Sequence, residues 1–255
     1  MDANYHTHTV RCRHAIGSER EYIEKAISRG FKKLGFSDHT PQPYPSNFVS
    51  GMRMQMVEFD NYVNTIKNLA REYAQDITIY TGLEVEFMPE YFDKLINEIQ
   101  QRDIDYIIMG QHFVKDEING FYAGEANRDE KRLQQYVDLV VEGLASGKFT
   151  YLAHPDLINY IGPDKLYQHH MCRICEAALA NNIPLEVNML GFETKRNYPC
   201  DRFFTMAQEM GCSFVIGCDA HNPDCIFSPE ELPDFMDFLK KNKISYNQDI
   251  KLIKP

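Results

Sequence analysis

Apolar residues recur along this chain in two alternating rhythms. Short runs rich in β-branched and aromatic residues fit strands: Lys33 to Ser37, Ile77 to Val85, Tyr106 to Met109, Phe149 to His154, Pro184 to Asn188 and Ser213 to Cys218. Between them the apolar positions fall three and four apart. Tyr22, Ile23, Ala26 and Ile27 follow this spacing, as do Val57, Tyr62, Val63, Ile66, Leu69 and Ala70, and then Leu133, Tyr136, Val137, Val140, Val141 and Leu144. That is the period of a helix with one buried face.

A strand near Asn4 to Thr7 opens the series, and the polar tail adds a further candidate near Ile250 to Ile253. Ser18 and Glu21 form a capping box ahead of the first helix, and Gly30 suits its end. Further helices are predicted over Met54 to Tyr73, Pro89 to Gln101, Arg128 to Ser146, Pro163 to Asn181, Asp201 to Met210 and Pro229 to Lys241. Strand-then-helix alternation predicts an α/β fold with a parallel sheet. At 255 residues it fits one domain, residues 1–255, since closed β/α barrels commonly have about this length. Three prolines in Thr40-Pro41-Gln42-Pro43-Tyr44-Pro45 forbid regular structure there. This loop is either a lid or specificity element or an ordinary surface excursion.

Composition narrows the class without naming a chemistry. Hydrophobic content of 44% and charged content of 25% are those of a soluble globular protein. The net charge of -10, with no basic run, argues against nucleic acid as a partner. No apolar stretch is long enough to span a membrane. The seven cysteines are an odd set and no leader pattern opens the chain, so reduced thiols in a cytoplasmic protein are expected. Cys172 and Cys175 sit at helical spacing with no second pair, and so are expected to be two helix-borne thiols near the core.

The histidines change the picture. His6 and His8, two apart in an extended segment, project from one side with their imidazoles close enough to share a cation. His14 follows in the next loop, and His39, His112, His154 and His221 each end a short apolar segment, as does Asp219. Strand ends of a parallel barrel open onto one face, so these residues would converge there. Glu84 and Glu86 share a strand face, and the period leaves both open as ligands. Imidazoles with a few carboxylates suit zinc, iron or manganese better than magnesium or calcium, and the set is large enough for two or three ions.

The His-x-His opening, Ser37-Asp38-His39-Thr40-Pro41, Gly82-Leu83-Glu84-Val85, Gly110-Gln111-His112, Ala153-His154-Pro155 and Asp219-Ala220-His221-Asn222-Pro223 together resemble the polymerase and histidinol phosphatase family, and within it the stand-alone histidinol-phosphatases. The resemblance runs from His6 to about Pro223 and implies a distorted, TIM-like (β/α)7 barrel with a trinuclear metal centre at the C-terminal ends of the strands. It implies that His6, His8, Glu84 and Asp219 hold one metal, and that Glu84 bridges to a second on His112 and His154. His14, His39 and His221 would hold the third.

The expected activity is hydrolysis of L-histidinol phosphate, a small phosphate monoester, to L-histidinol and phosphate in histidine biosynthesis. A metal-bridging hydroxide would be the nucleophile. The alternatives are a phosphatase of the same type acting on phosphotyrosine proteins or another monoester, and a non-catalytic metal-binding module. Arg196 is the expected second phosphate contact, with Lys195 as its alternative. Family members often carry a basic residue after His-Pro-Asp, whereas Leu157 to Gly162 offers none. Asp38 and Asp156 are expected to orient ligands.

Overall fold

The computed structural model describes residues 1–44 and 48–255. Four strands lie side by side and parallel in the order β1 (Ala3–Asn4), β2 (Lys33–His39), β3 (Thr78–Val85) and β4 (Tyr106–Met109). They are linked by α1 (Glu19–Ser28), α2 (Phe59–Glu72) and α3 (Phe92–Gln100). The Ser18–Glu21 capping box forms as its spacing predicts. An antiparallel hairpin, β5 (Phe113–Val114) with β6 (Phe121–Tyr122), follows β4 outside the sheet.

The chain continues through α4 (Glu130–Ala145), a bridging segment at 149–154, α5 (Asp164–Asn181), β7 (Leu185–Asn188), α6 (Met189–Glu193), α7 (Asp201–Glu209), β8 (Phe214–Gly217), α8 (Pro233–Lys241) and β9 (Tyr246–Asn247). The segment 149–154, predicted as a strand, makes single bridges in place of a ladder. Leu152 pairs with Met109 on one side and Leu185 on the other. Its backbone is still shared between both neighbours: Ala153 N donates to Met109 O at 2.8 Å and Glu186 N donates to Leu152 O at 2.9 Å. The left-handed backbone at His154, φ 29°, ends the extension.

Beyond β8, Thr7 pairs with Ala220, and His8 N donates to Ala220 O at 3.0 Å. The seven parallel segments therefore form a closed, distorted β/α ring. β9 pairs with the first half of β8, at Phe214 and Val215. The tail strand thus lies at Tyr246–Asn247 and not at Ile250 to Ile253. The chain leaves α8 through Lys243 at φ 53°, and Ile244 N donates back to Leu239 O at 2.9 Å, which delivers Tyr246 directly to the sheet.

Cys172 and Cys175 both lie on α5, and all seven cysteines are free thiols. Thr40 to Pro43 is buried and Thr40 N donates to Glu84 O at 3.0 Å, so the start of the proline-rich loop extends β2 inward. Its last residue, Pro45, lies outside the described residues. Among the described residues no helix is long and apolar enough to cross a membrane.

Below the mouth the ring is filled by side chains. Tyr106 on β4 is fully buried, and its hydroxyl donates to Tyr5 O at 2.6 Å. Its ring lies against Gly35 of β2 and Gly82 of β3, where a Cβ at either position would overlap it. Glycine here is a packing requirement, because a close-packed interior has no spare volume for a methyl group. Gly82→Ala should therefore cost about 1–3 kcal/mol. Urea unfolding followed by circular dichroism should show a lowered midpoint at an unchanged slope; a wild-type midpoint would contradict the packing account.

Candidate metal centre

The strand ends bring all nine ligand-type residues to one mouth of the ring. Glu84 lies at its centre, on β3 directly opposite His39 in the register with β2. One oxygen of its buried carboxylate, Oε1, lies 2.8 Å from His154 Nε2 and 3.6 Å from the Nε2 atoms of His6 and His112. The other, Oε2, lies 2.8 Å from His39 Nδ1 and 3.6 Å from His8 Nε2. Asp219 Oδ1 approaches His8 Nε2 at 3.1 Å and His6 Nε2 at 3.4 Å. The ring centroid of His14 lies 4.6 Å from that of His221 and 5.4 Å from that of His39. Gly110 gives Glu84 its space, since a Cβ there would fall on the carboxylate.

Ligand-capable atoms lie within 4.8 Å of one another in His6, His8 and Asp219, in His6, Glu84 and His154, in His14, His39 and His221, and in His8, His39 and Glu84. Several of these atoms are buried without a hydrogen-bond partner, among them His6 Nε2, His8 Nε2 and His221 Nε2. A buried polar atom left unpaired costs about 1–3 kcal/mol. A cluster of such atoms facing one another fits divalent cations, and the imidazole and carboxylate donors match zinc, manganese or iron.

Three of the rings are turned by hydrogen bonds on their other nitrogen. His6 Nδ1 donates to Glu186 Oε1 at 2.7 Å, His14 Nδ1 to Cys12 O at 2.7 Å and His221 Nδ1 to Asp219 O at 2.9 Å. In the neutral imidazole each bond leaves Nε2 as the lone pair. Burial lowers the pKa of His39 well below the imidazole range and that of His221 to about 3, which keeps both neutral. Burial also opposes protonation of His6, but Glu186, Asp219 and Glu84 outweigh it and raise its pKa. Burial would raise the carboxyls of Glu84 and Asp219, yet the surrounding imidazoles hold both well below the usual range.

Glu86, the alternative to Glu84, points elsewhere. Its Oε1 accepts from Arg53 Nη2 at 2.5 Å and its Oε2 accepts from Phe113 N at 3.0 Å. Asp38 accepts from Thr9 Oγ1 and lies 3.5 Å from His8 Nδ1, behind that ring. Asp156 accepts from Cys200 N at 2.7 Å, and burial raises its pKa to about 7.

Sequence reasoning missed Glu186, which is fully buried on β7 and accepts from His6, from His154 N at 3.0 Å and from Asn188 Nδ2 at 2.9 Å. A carboxylate inside an otherwise apolar parallel strand, Leu185-Glu186-Val187, was the available signal. The bond from His154 N also helps to hold the left-handed backbone at His154, and Asp219 is left-handed too, at φ 51°. Non-glycine residues in this region are strained, and such strain gathers at functional sites.

Above the cluster is a cavity of about 520 Å³ lined by His14, His39, His112, Asp219 and His221 below and by Met52, Tyr122, Leu190, Arg196 and Tyr198 around the rim. Arg196 is the one basic side chain among its described lining residues, and its Nη1 donates to Tyr198 Oη at 2.8 Å. Lys195 faces away, into a separate depression beside Phe192 and Leu232. The left-handed turn at Lys195, φ 55°, directs these neighbours to different sides. The 157–162 segment brings no positive charge to the rim, as its composition predicts.

A PHP domain model matches residues 4–190 of the chain. The chain is 30% identical over 230 residues to a probable histidinol-phosphatase of Deinococcus radiodurans, covering 86% of this chain and 85% of that protein. It is 25% identical over 250 residues to a probable histidinol-phosphatase of Schizosaccharomyces pombe, covering 88% and 81%. Its fold is similar to that of histidinol phosphate phosphatase (HisK) of Lactococcus lactis, solved with zinc, L-histidinol and phosphate, with a TM-score of 0.71 at 17% identity over 96% of this chain and 95% of that one. The chain therefore belongs to the PHP, or polymerase and histidinol phosphatase, family.

Proposed function

We propose that this chain is a cytoplasmic metal-dependent phosphomonoesterase, one domain over residues 1–255, that hydrolyses L-histidinol phosphate to L-histidinol and phosphate in histidine biosynthesis. The observation that carries the reading is the buried Glu84 carboxylate facing five imidazoles beneath a cavity with a single guanidinium on its rim. The names of the two curated relatives support the same substrate.

We assign His6, His8, His14, His39, Glu84, His112, His154, Asp219 and His221 as ligands of two or three divalent ions of zinc, manganese or iron. Bound there, such ions supply Lewis acidity that offsets the charge of a phosphate dianion and acidifies water. The protein's own groups do the rest. Glu84 reaches two neighbouring ligand clusters at once and so fixes the spacing between them. Glu186 holds His6 with Nε2 directed at Asp219 and Glu84. Arg196, held at the rim by Tyr198, offers its free N–H groups to phosphate oxygens; charge-assisted pairs of this kind are strong and directional. Tyr122 and Leu190 contribute apolar surface to the same cavity. No protein general acid is assigned, since cation charge can stabilise the leaving alkoxide.

The direct test is turnover of L-histidinol phosphate by metal-loaded protein beside a panel of other monoesters, including a phosphotyrosine peptide. A clear preference in kcat/KM for L-histidinol phosphate is expected. Equal or better turnover of the peptide would move the assignment to a phosphotyrosine phosphatase, and no turnover with any metal would make the chain a metal-binding module. In the same assay Arg196→Ala should lower kcat/KM about ten- to a hundredfold with metal content unchanged, the loss expected for one charged hydrogen-bonding partner. Full activity would remove it from the phosphate site. Glu186→Gln should weaken metal affinity about tenfold to a hundredfold, the usual effect of removing a group that orients a ligand histidine. Competition with a chromophoric chelator reads this directly, and wild-type affinity would show that His6 is held without it.

A further inference from the structure

Arg53 is the largest fully buried side chain among the described residues, at 1% exposure. It lies between β2 and α2, and its guanidinium serves three segments of chain. Nη2 donates to Glu86 Oε1 at 2.5 Å just past β3, and Nε donates to Glu117 Oε2 at 2.7 Å in the turn of the β5–β6 hairpin. Nη1 donates to Thr40 O at 3.4 Å, next to His39. Glu117 Oε1 accepts the Ser50 hydroxyl at 2.5 Å, which ties in the stretch carrying Gly51 and Met52 to the cavity wall.

Glu86 passes the connection on. Its Oε2 accepts the backbone N–H of His112 at 3.3 Å and of Phe113 at 3.0 Å, and its Oε1 lies 3.6 Å behind His112 Nδ1. The opposite nitrogen, Nε2, faces Glu84 Oε1 at 3.6 Å. Glu86 thus lies behind His112, with Arg53 holding Glu86 in turn.

A buried ion triad is a poor device for stability, because the desolvation it costs is often recovered better by apolar side chains of similar volume. What it supplies here is direction. A planar guanidinium carries donors along fixed, diverging lines from three nitrogens, so it holds acceptors from three segments at set positions, whereas an ammonium presents its three donors from one freely rotating point.

We propose that Arg53 is a positioning residue: acting through Glu86 it sets the ring of His112 toward the metal cluster, and through Glu117 and Ser50 it keeps the cavity wall in register with that ligand. This rests on the assignment of His112 as a metal ligand.

The test is zinc affinity, read apart from activity. Chelator-stripped wild type, Arg53→Lys, Arg53→Met and Glu86→Gln are titrated with zinc against a chromophoric chelator, with thermal unfolding in parallel. Arg53→Lys keeps the charge and loses the fork, so one zinc equivalent should weaken about ten- to a hundredfold, the range found for groups that orient ligands. Glu86→Gln should reproduce the loss on that same equivalent, and combining it with Arg53→Lys should add little further, because the two act in series.

If Arg53→Met fails to fold, the lysine and glutamine variants still decide the matter. Arg53→Lys with wild-type affinity at every equivalent, whatever its thermal stability, would make the residue structural and overturn the inference, as would fully additive losses in the double variant. Wild type that binds no zinc would instead overturn the ligand assignment itself.

Discussion

The constraint on which the structure depends is the burial of one carboxylate among imidazoles. Glu84 is 2% exposed, on a strand closed in by neighbours on both sides. An ionised group in such a place must be compensated by partners. Five histidines from four segments of the chain surround it, and each is held by a segment whose position the parallel ring dictates. The ring lets residues as distant as His8 and His221 meet, their ring centroids 4.0 Å apart, and Gly110 leaves the volume into which Glu84 fits.

Behind this inner set stands a second row of carboxylates. Glu186 lies behind His6, Asp38 behind His8 and Glu86 behind His112. Each approaches the nitrogen facing away from the cluster, the arrangement that fixes tautomer and ring direction in histidine metal sites. The net charge of -10 is thus partly invested where cations would reverse its local effect. Arg196 and the tyrosines Tyr122 and Tyr198 line the cavity beside this platform, to which residues 157–162 bring no basic side chain.

Much of this was legible in the sequence because ligand-type residues placed at strand ends converge whatever the details of the helices. The β/α order, the capping box at Ser18 and the meeting of the nine residues follow from periodicity and that placement rule. The choice between Glu84 and Glu86 was not legible from the two-residue period, which gives both the same face. Arg53 decides it in space by claiming Glu86. Glu186 escapes the placement rule because it lies within β7 and not at the end of that strand. The β5–β6 hairpin and β9 are two-residue pairings, too short to leave a pattern. α6 follows from a local bond, Asn188 Oδ1 accepting from Gly191 N at 2.8 Å, inside what reads as a loop. Arg196 is preferred to Lys195 in sequence only by the reach of its guanidinium, and in space Arg196 lines the cavity while Lys195, itself left-handed, lines a separate depression.

Anomalous diffraction from crystals grown with zinc, manganese or iron, collected on both sides of the metal's absorption edge, tests the central claim most directly. The account predicts at least two edge-dependent peaks within about 2.0–2.3 Å of the His6, His8, Glu84, His112, His154 and Asp219 donor atoms, the distances usual for such ligands. Saturating metal that leaves this mouth without a peak, or that binds only elsewhere on the chain, would contradict it.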